Sequence, residues 1–463
     1  MANVMAAKSE IRTPDPLVSR TERRCLIALL AIAALLRLGV ICWKPDSLAE
    51  DRDLYWGIGQ HLAAGDGFVH PDLGHPTAYR PPLYPLTLAA IVLVGGGSKT
   101  LAALQIGLSV ATVWLTWRLG RKLGLETNGL MAAAFVALNP LLIQSTALAM
   151  TETLCAFLLT GLLLSLGHST AKSRWLVGAL VGLTALCRPT VWAFVALACV
   201  VSVAGSWRRR TRGTAHRFRE VVQDKWPIVV ACALILAPWV IRNAIVLGKP
   251  IVTTTHGGYT LLLGNNNEAY RAEIANPTGA PWDSQEFQQQ TELALKELHV
   301  QRSDEILRDN VLSNLAKQWI LRHPREFAES CWLRIKRFWN IFPGGTDAVS
   351  LPKIAQWGMA VFFAIELLAA AIGLWRLRRN EWAVWWPLVL LVLSFALVHV
   401  VYWSNLRMRA PVEPVLALLA VRGLVLKQAI SFRFSSIGHW AQSEQSAEVG
   451  CGVSLMVGAS LDV

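Results

Sequence analysis

The stretch Arg80-Pro81-Pro82-Leu83-Tyr84-Pro85, running into the apolar residues Leu86 to Val94, decides how this chain is arranged. A hydrocarbon core about 30 Å thick needs about 20 apolar residues in a helix, and the dozen residues 83–94 would extend only about 18 Å. The segment is therefore expected to lie at an interface without crossing. Ten other apolar segments are long enough to span, or nearly so: roughly 25–43, 100–118, 129–148, 153–168, 174–187, 190–206, 226–241, 354–375, 382–403 and 411–427. If 83–94 stays on one face, the basic clusters fall together on the other. These are the N-terminus, Arg118/Arg121/Lys122, Lys172/Arg174, Arg208 through Arg219, Arg376/Arg378/Arg379 and Arg422/Lys427. The excess of basic residues in short loops marks the cytoplasmic face, so Lys99 is expected outside and Arg121 inside.

Composition agrees with a multi-pass membrane protein, because 54% hydrophobic residues and 20 Trp in 463 residues exceed the needs of one soluble core. The net charge of +13 does not point to nucleic acid: the cations sit in short clusters between apolar runs, so the excess reads as topology. Eight cysteines show neither a disulfide framework nor zinc spacing. The histidines lack ligand spacing of the HExxH kind, so no protein-encoded metal site is expected, and a need for a divalent cation is left open. Residues 1–24 carry Lys8, Arg12, Arg20, Arg23 and Arg24 ahead of an apolar segment that keeps Arg37 and has no small-residue cleavage site, which reads as an uncleaved anchor in the plasma (inner) membrane. The expected organisation is a cytoplasmic segment 1–24, a transmembrane catalytic module 25–241 with an extracytoplasmic loop 44–99, a small mixed extracytoplasmic domain 242–353, C-terminal helices 354–427 and a cytoplasmic tail 428–463.

Every residue with chemical potential falls on the outer face. Asp51-Arg52-Asp53-Leu54-Tyr55 follows the first span. A carboxylate held at a partly dry surface is able to take a proton from an attacking hydroxyl; equally, acids in this position cap the helix that follows. Arg80, fixed in an extended turn by two prolines, has the planar fork that suits phosphate oxygens, and also the chemistry of a headgroup anchor. Glu152 opens the fourth span, where acids are favoured on helix grounds alone. Thirteen residues separate Arg188 from Arg174, about 20 Å of helix, so Arg188 sits below the outer surface, where an arginine needs a cavity or a partner. Arg242, Arg407 and Arg409 add three more guanidinium groups on that side.

Taken together, D-x-x-x-Y after the first span, G-D-G-F at 65–68, Y-R-P-P-L-Y-P at 79–85, M-T-E at 150–152, L-C-R-P at 186–189, A-P-W-V-I-R-N at 237–243 and R-M-R-A-P at 407–411 resemble the GT-C glycosyltransferases of the protein mannosyltransferase and lipid A aminoarabinose transferase type. The resemblance implies an α-helical polytopic fold of about ten transmembrane helices plus interfacial helices. It also implies transfer of a sugar from a polyprenyl-phosphate carrier, without a nucleotide sugar, to a protein, glycan or lipid acceptor at the extracytoplasmic face of the cell envelope. By the same resemblance Asp51 matches the first-loop catalytic acid, Glu152 the acid at the fourth span and Arg80 the contact to the carrier phosphate. Here Asp-Arg-Asp replaces the usual adjacent acid pair, which leaves open whether Asp53 shares the role. The expected course is a single inverting displacement with Asp51 as general base. Arg80, Arg188, Arg242, Arg407 and Arg409 would receive negative charge, and aromatic residues such as Tyr55 and Tyr84 would bound a groove for the isoprenoid chain. The competing reading is a transporter or flippase for an anionic lipid, which would want inverted repeats that the sequence does not display.

Overall fold

The computed structural model describes residues 18–167, 170–208, 214–275, 284–343 and 351–425. Lys8, Arg12, Arg209, Arg210, Arg212, Lys427 and the tail 428–463 lie outside the described residues, so the parts of the topology argument that rest on them do too.

The first half of the chain is α1 (Arg20–Trp43), α2 (Tyr55–Ala64), α3 (Leu83–Leu93), α4 (Ser98–Lys122), α5 (Gly129–Leu138), α6 (Pro140–Thr146), α7 (Glu152–Ser165), α8 (Ala171–Cys187), α9 (Val191–Arg208) and α10 (Thr214–Val246). The second half is α11 (Gly257–Gly264), α12 (Asn267–Ala275), α13 (Ser284–Glu297), α14 (Glu305–Arg322), α15 (Pro324–Phe338), α16 (Lys353–Trp375), α17 (Trp382–Val401) and α18 (Glu413–Leu424). Among the described residues there is no strand, only an isolated bridge between Val69 and Pro76. The described residues of 242–353 form helices without a strand, so a mixed fold there is not confirmed. The Gly and Asn clusters of this region serve helix ends: Asn265 ends α11, and the Asn266 side chain accepts the Ala269 N–H at 2.7 Å to begin α12.

Among the described residues five helices are long and apolar enough to cross a bilayer: α1, α4, Lys225–Val246 within α10, α16 and α17. A sixth is obtained if Glu126–Leu138 and Pro140–Thr146, bent by 53°, are one broken span. Ten full-length spans are not confirmed among the described residues, for local reasons. Pro140 forces Asn139 into an extended conformation, and the Asn139 side chain then caps α6 by accepting the N–H groups of Leu141 (3.0 Å) and Leu142 (3.2 Å). Pro189 likewise holds Arg188 extended and separates α8 from α9. Helix α18, only 12 residues long, is buried along almost its whole length inside the bundle. Helix α3 has 11 residues, about 16 Å, and packs on α2 through Gly59, where a Cβ would approach the Leu88 Cβ to 2.9 Å.

Charged side chains staple these helices. Arg37, fully buried, donates to Ser109 on α4, to the Ala33 carbonyl and to the carbonyls of Val136 and Ala137 on α5. Glu305, in the first turn of α14, accepts from the Thr77 hydroxyl (2.5 Å), the Ala78 N–H (3.0 Å) and the Thr255 hydroxyl. Arg334 on α15, also fully buried, donates to the Gly264 carbonyl, to Asn265 Oδ1 and to the carbonyls of Val400 and Val401 at the end of α17. The helices α11 to α15 are thereby fastened to the loop before α3 and to the bundle.

Candidate active site

The chain leaves α1 through a short 3₁₀ turn, Pro45–Leu48, and the Trp56 indole N–H donates to the Leu48 carbonyl at 2.8 Å. Asp51 then accepts two backbone N–H groups at the start of α2, Trp56 on Oδ1 (2.9 Å) and Gly57 on Oδ2 (2.7 Å). Two such bonds at a helix N-terminus fix the plane of the carboxylate. Leu54 between them takes φ 63°, a left-handed conformation costing a non-glycine residue about 1 kcal/mol or more, so neighbouring contacts must hold the loop.

One of those contacts is Asp53 with Arg80. The guanidinium donates from Nε to the Asp53 carbonyl (2.9 Å) and from Nη2 to Asp53 Oδ1 (3.0 Å), leaving the Nη1 corner outside this grip. It lies 4.8 Å from the Tyr79 ring centre and 5.5 Å from that of Tyr55. Burial works against its charge, but Tyr55 and Asp53 outweigh burial and its pKa is raised. Burial pushes the phenol of Tyr79 up to about 12 and that of Tyr55 higher, so both rings are neutral. His256 packs against Tyr79 at 4.2 Å and stacks on Tyr259 at 5.0 Å; burial, then the positive Arg80, hold its pKa well below the usual range.

The second group is Glu152, at the head of α7 and 1% exposed. Its Oε1 faces Arg188 Nη1 at 3.5 Å and Arg407 Nε at 3.3 Å, while Arg188 also donates to the Met408 sulfur at 3.0 Å. The two groups meet through aromatic rings. Tyr55 contacts Tyr84 edge-on at 5.2 Å, and the Tyr84 hydroxyl accepts from Gln105 at 3.0 Å. Tyr55 feels the charges of Arg80, Asp53, Glu152 and Arg188 together, which places both clusters within electrostatic range of one phenol.

The structure thus gathers Asp51, Asp53, Tyr55, Arg80, Tyr84, Glu152, Arg188 and Arg407 at one end of the bundle. Three arginines face two carboxylates there, because the charge of Asp51 is met by backbone N–H groups. Arg242 and Arg409 stand in other roles. Arg242 donates to the carbonyls of Thr77 and Phe68, each at 2.7 Å, and supports the loop ahead of Arg80. Arg409 is fully buried, bonded to Glu413 at 2.6 Å and to the carbonyls of Phe338 and Asn340. Sequence reasoning passed over Tyr79 and His256 as neighbours of Arg80, although Tyr79 adjoins it in the chain. Among the described residues no cluster of three or more His, Cys, Asp or Glu is arranged to hold a metal ion.

No family model matches the chain, and no curated protein matches it. Among solved structures it is similar to the archaeal oligosaccharyltransferase AglB from Archaeoglobus fulgidus in complex with an inhibitory peptide and a dolichol-phosphate, at 13% identity and TM-score 0.45, over 95% of this chain and 53% of that one. It is likewise similar to the oligosaccharyltransferase of the same organism in the apo form, at 15% identity and TM-score 0.46 over 85% and 50%, and to that enzyme tethered to an acceptor peptide containing the NVT sequon, at 15% and 0.44 over 86% and 49%. The chain spans about half the length of each of these structures.

Proposed function

We propose that the chain is a membrane glycosyltransferase that moves a sugar from a polyprenyl-phosphate carrier to an acceptor hydroxyl or amide at the extracytoplasmic face. The observation that carries this reading is that one five-residue loop, 51–55, both orients the Asp51 carboxylate and, through Asp53, grips Arg80 along one edge, backed by the Glu152–Arg188–Arg407 cluster. In the reaction the acceptor heteroatom attacks the anomeric carbon from the face opposite the phosphate. The C–O bond to phosphate breaks, its electron pair leaves with the polyprenyl phosphate, and the acceptor proton passes to the Asp51 carboxylate. Asp53 holds Arg80 so that its remaining edge meets the leaving phosphate, where charge develops. A second anion at the site is balanced by Arg188 and Arg407, which share Glu152 between them.

The test is polyprenyl-phosphate retention by purified protein, measured by mass spectrometry, alongside sugar transfer in membranes. Arg80→Ala is expected to lose retained polyprenyl phosphate, and Arg80→Lys to restore only part, since a point charge does not replace the fork. Asp51→Asn is expected to keep the lipid and to slow transfer by about 10²–10⁴-fold, the contribution of a general base. Because Asn presents only one oxygen to the two N–H groups at 2.9 and 2.7 Å, a loss of folding there is controlled with Asp51→Glu. Arg80→Ala protein that retains the lipid unchanged overturns the phosphate role. Near-normal transfer by Asp51→Asn, with loss in Asp53→Asn, moves the base to Asp53.

A further inference from the structure

Where α1 ends, a cavity of about 90 Å³ opens between Val40, Lys44, Arg52, the α6 residues Leu141 and Gln144, and the Asn405–Arg407 turn. Its lining holds three cations, Lys44, Arg52 and Arg407, and no carboxylate, next to aliphatic wall from Val40, Leu141 and Leu406. The Asn405 side-chain oxygen is buried there without a hydrogen-bond partner. Arg407 is common to this cavity and to the charged cluster, since its Nε faces Glu152 at 3.3 Å. The phase beside the cavity is set by α1, which shows Ile27, Leu35, Leu38 and Trp43 outward at 49–66% exposure and ends in the Trp43-Lys44 pair suited to a headgroup layer.

We propose that this cavity seats the headgroup phosphate of an anionic bilayer phospholipid, its acyl chains lying outside along α1, and that the phosphate draws on Arg407 in competition with Glu152. The size fits a compact headgroup and not a whole lipid. Charge selects the ligand: the lining brings Lys44, Arg52 and Arg407 together while the partner carboxylates Glu50 and Glu152 stand outside it, which favours a net anion over a zwitterion, and the aliphatic wall favours a lipid phosphate over a free one. Arg52 pairs with Glu50 at 2.7 Å, an exposed pair of small net value that a phosphate is able to displace. The proposal stands independently of sugar transfer, because it concerns occupancy alone.

The experiment uses full-length protein in nanodiscs of phosphatidylcholine, with and without phosphatidylglycerol, read by native mass spectrometry after gentle release and by photo-crosslinking from benzoylphenylalanine at Val40. Phosphatidylglycerol is expected to be retained and crosslinked in preference to phosphatidylcholine. Lys44→Gln with Arg52→Gln is expected to weaken that preference roughly thirtyfold, at about fivefold per cation lost, and Lys44→Arg with Arg52→Lys to restore it. Folding of each variant is read from thermal unfolding, and Arg52→Gln alone serves if the double variant does not fold. Equal retention of both lipids, retention unmoved by the variants, or complete competition by millimolar inorganic phosphate would overturn the lipid site.

Discussion

At the scale of single residues, the ring stack beside Arg80 makes a pH prediction. His256 is neutral in the folded chain because burial, then Arg80, disfavour its protonation, whereas an unfolded histidine titrates near 6.5. Below about pH 6.5 the unfolded state takes a proton that the folded state refuses, so stability is full above that pH and falls as the solution is acidified toward the depressed folded value. His70, also depressed chiefly by burial, adds in the same direction. Glu305 opposes both: burial raises its pKa, so its contribution is present below about 4.5 and declines as pH rises. Thermal unfolding of wild type and His256→Phe, compared at pH 7.5 and 5.5, is expected to show a smaller acid loss in the variant, whose ring keeps the contacts to Tyr79 and Tyr259. Equal losses in the two proteins would contradict the assignment. The same scale explains what could be read of the site in advance. Residue type and loop position were enough to pick Asp51, Asp53, Arg80 and Glu152. Pairing was not legible, because Glu152 meets Arg188 and Arg407 across 36 and 255 positions of chain, and nothing local in either segment announces the other. Nor could spacing tell that Asp53, two residues from Asp51, would be the acid that grips Arg80.

At the scale of elements, helix pairs are held at backbone contact by missing side chains. On α16 and α18 a Cβ at Gly373 would strike the Leu419 carbonyl, and one at Gly423 would strike the Ala369 carbonyl. In a bilayer such small-residue contacts carry much of the association between helices. Gly373→Leu is therefore expected to lower the unfolding midpoint in detergent and broaden the size-exclusion peak, at about 1–3 kcal/mol or more for an overpacked interface. Gly107→Leu on α4, where nothing lies within 4 Å of the added Cβ, is the matched control and is expected to behave as wild type. A Gly373→Leu protein indistinguishable from the control would refute the contact. Element existence was legible wherever a long apolar run stood alone, as in α1, α4, α16 and α17. The break at Arg188-Pro189 was legible, since the expected segments end at 187 and resume at 190; the boundary failed at Asn139-Pro140, where a cap ends a helix inside the expected run 129–148. Over 257–267 the Gly and Asn residues are placed at helix starts and ends.

At the scale of the whole molecule, the arrangement predicts sidedness. Helix α4 has 25 residues, about 37 Å, enough to carry Lys99 and the turn after Lys122 to opposite faces. Arg121 is largely buried beside Glu22 at 3.5 Å, so Glu126, exposed in the following turn, is the better reporter. With Cys25, Cys42 and Cys199 replaced by Ser, a membrane-impermeant maleimide applied from outside is expected to label Lys99→Cys and not Glu126→Cys. Labelling of both, or of Glu126→Cys alone, would reverse the orientation on which the positive-inside argument rests. The hinge at Asn139 carries a further consequence, for biogenesis. Its amide donates to Glu413 at 2.8 Å and to Glu366 at 3.3 Å, partners 274 and 227 residues later in the chain. While a ribosome is still making the intervening segment, the bent pair α5–α6 waits with a polar corner unmatched. The central plug, α18, arrives after every wall that surrounds it has been inserted. Assembly therefore closes from the back, and the interval before α18 docks is when the nascent protein is most open to quality-control proteases.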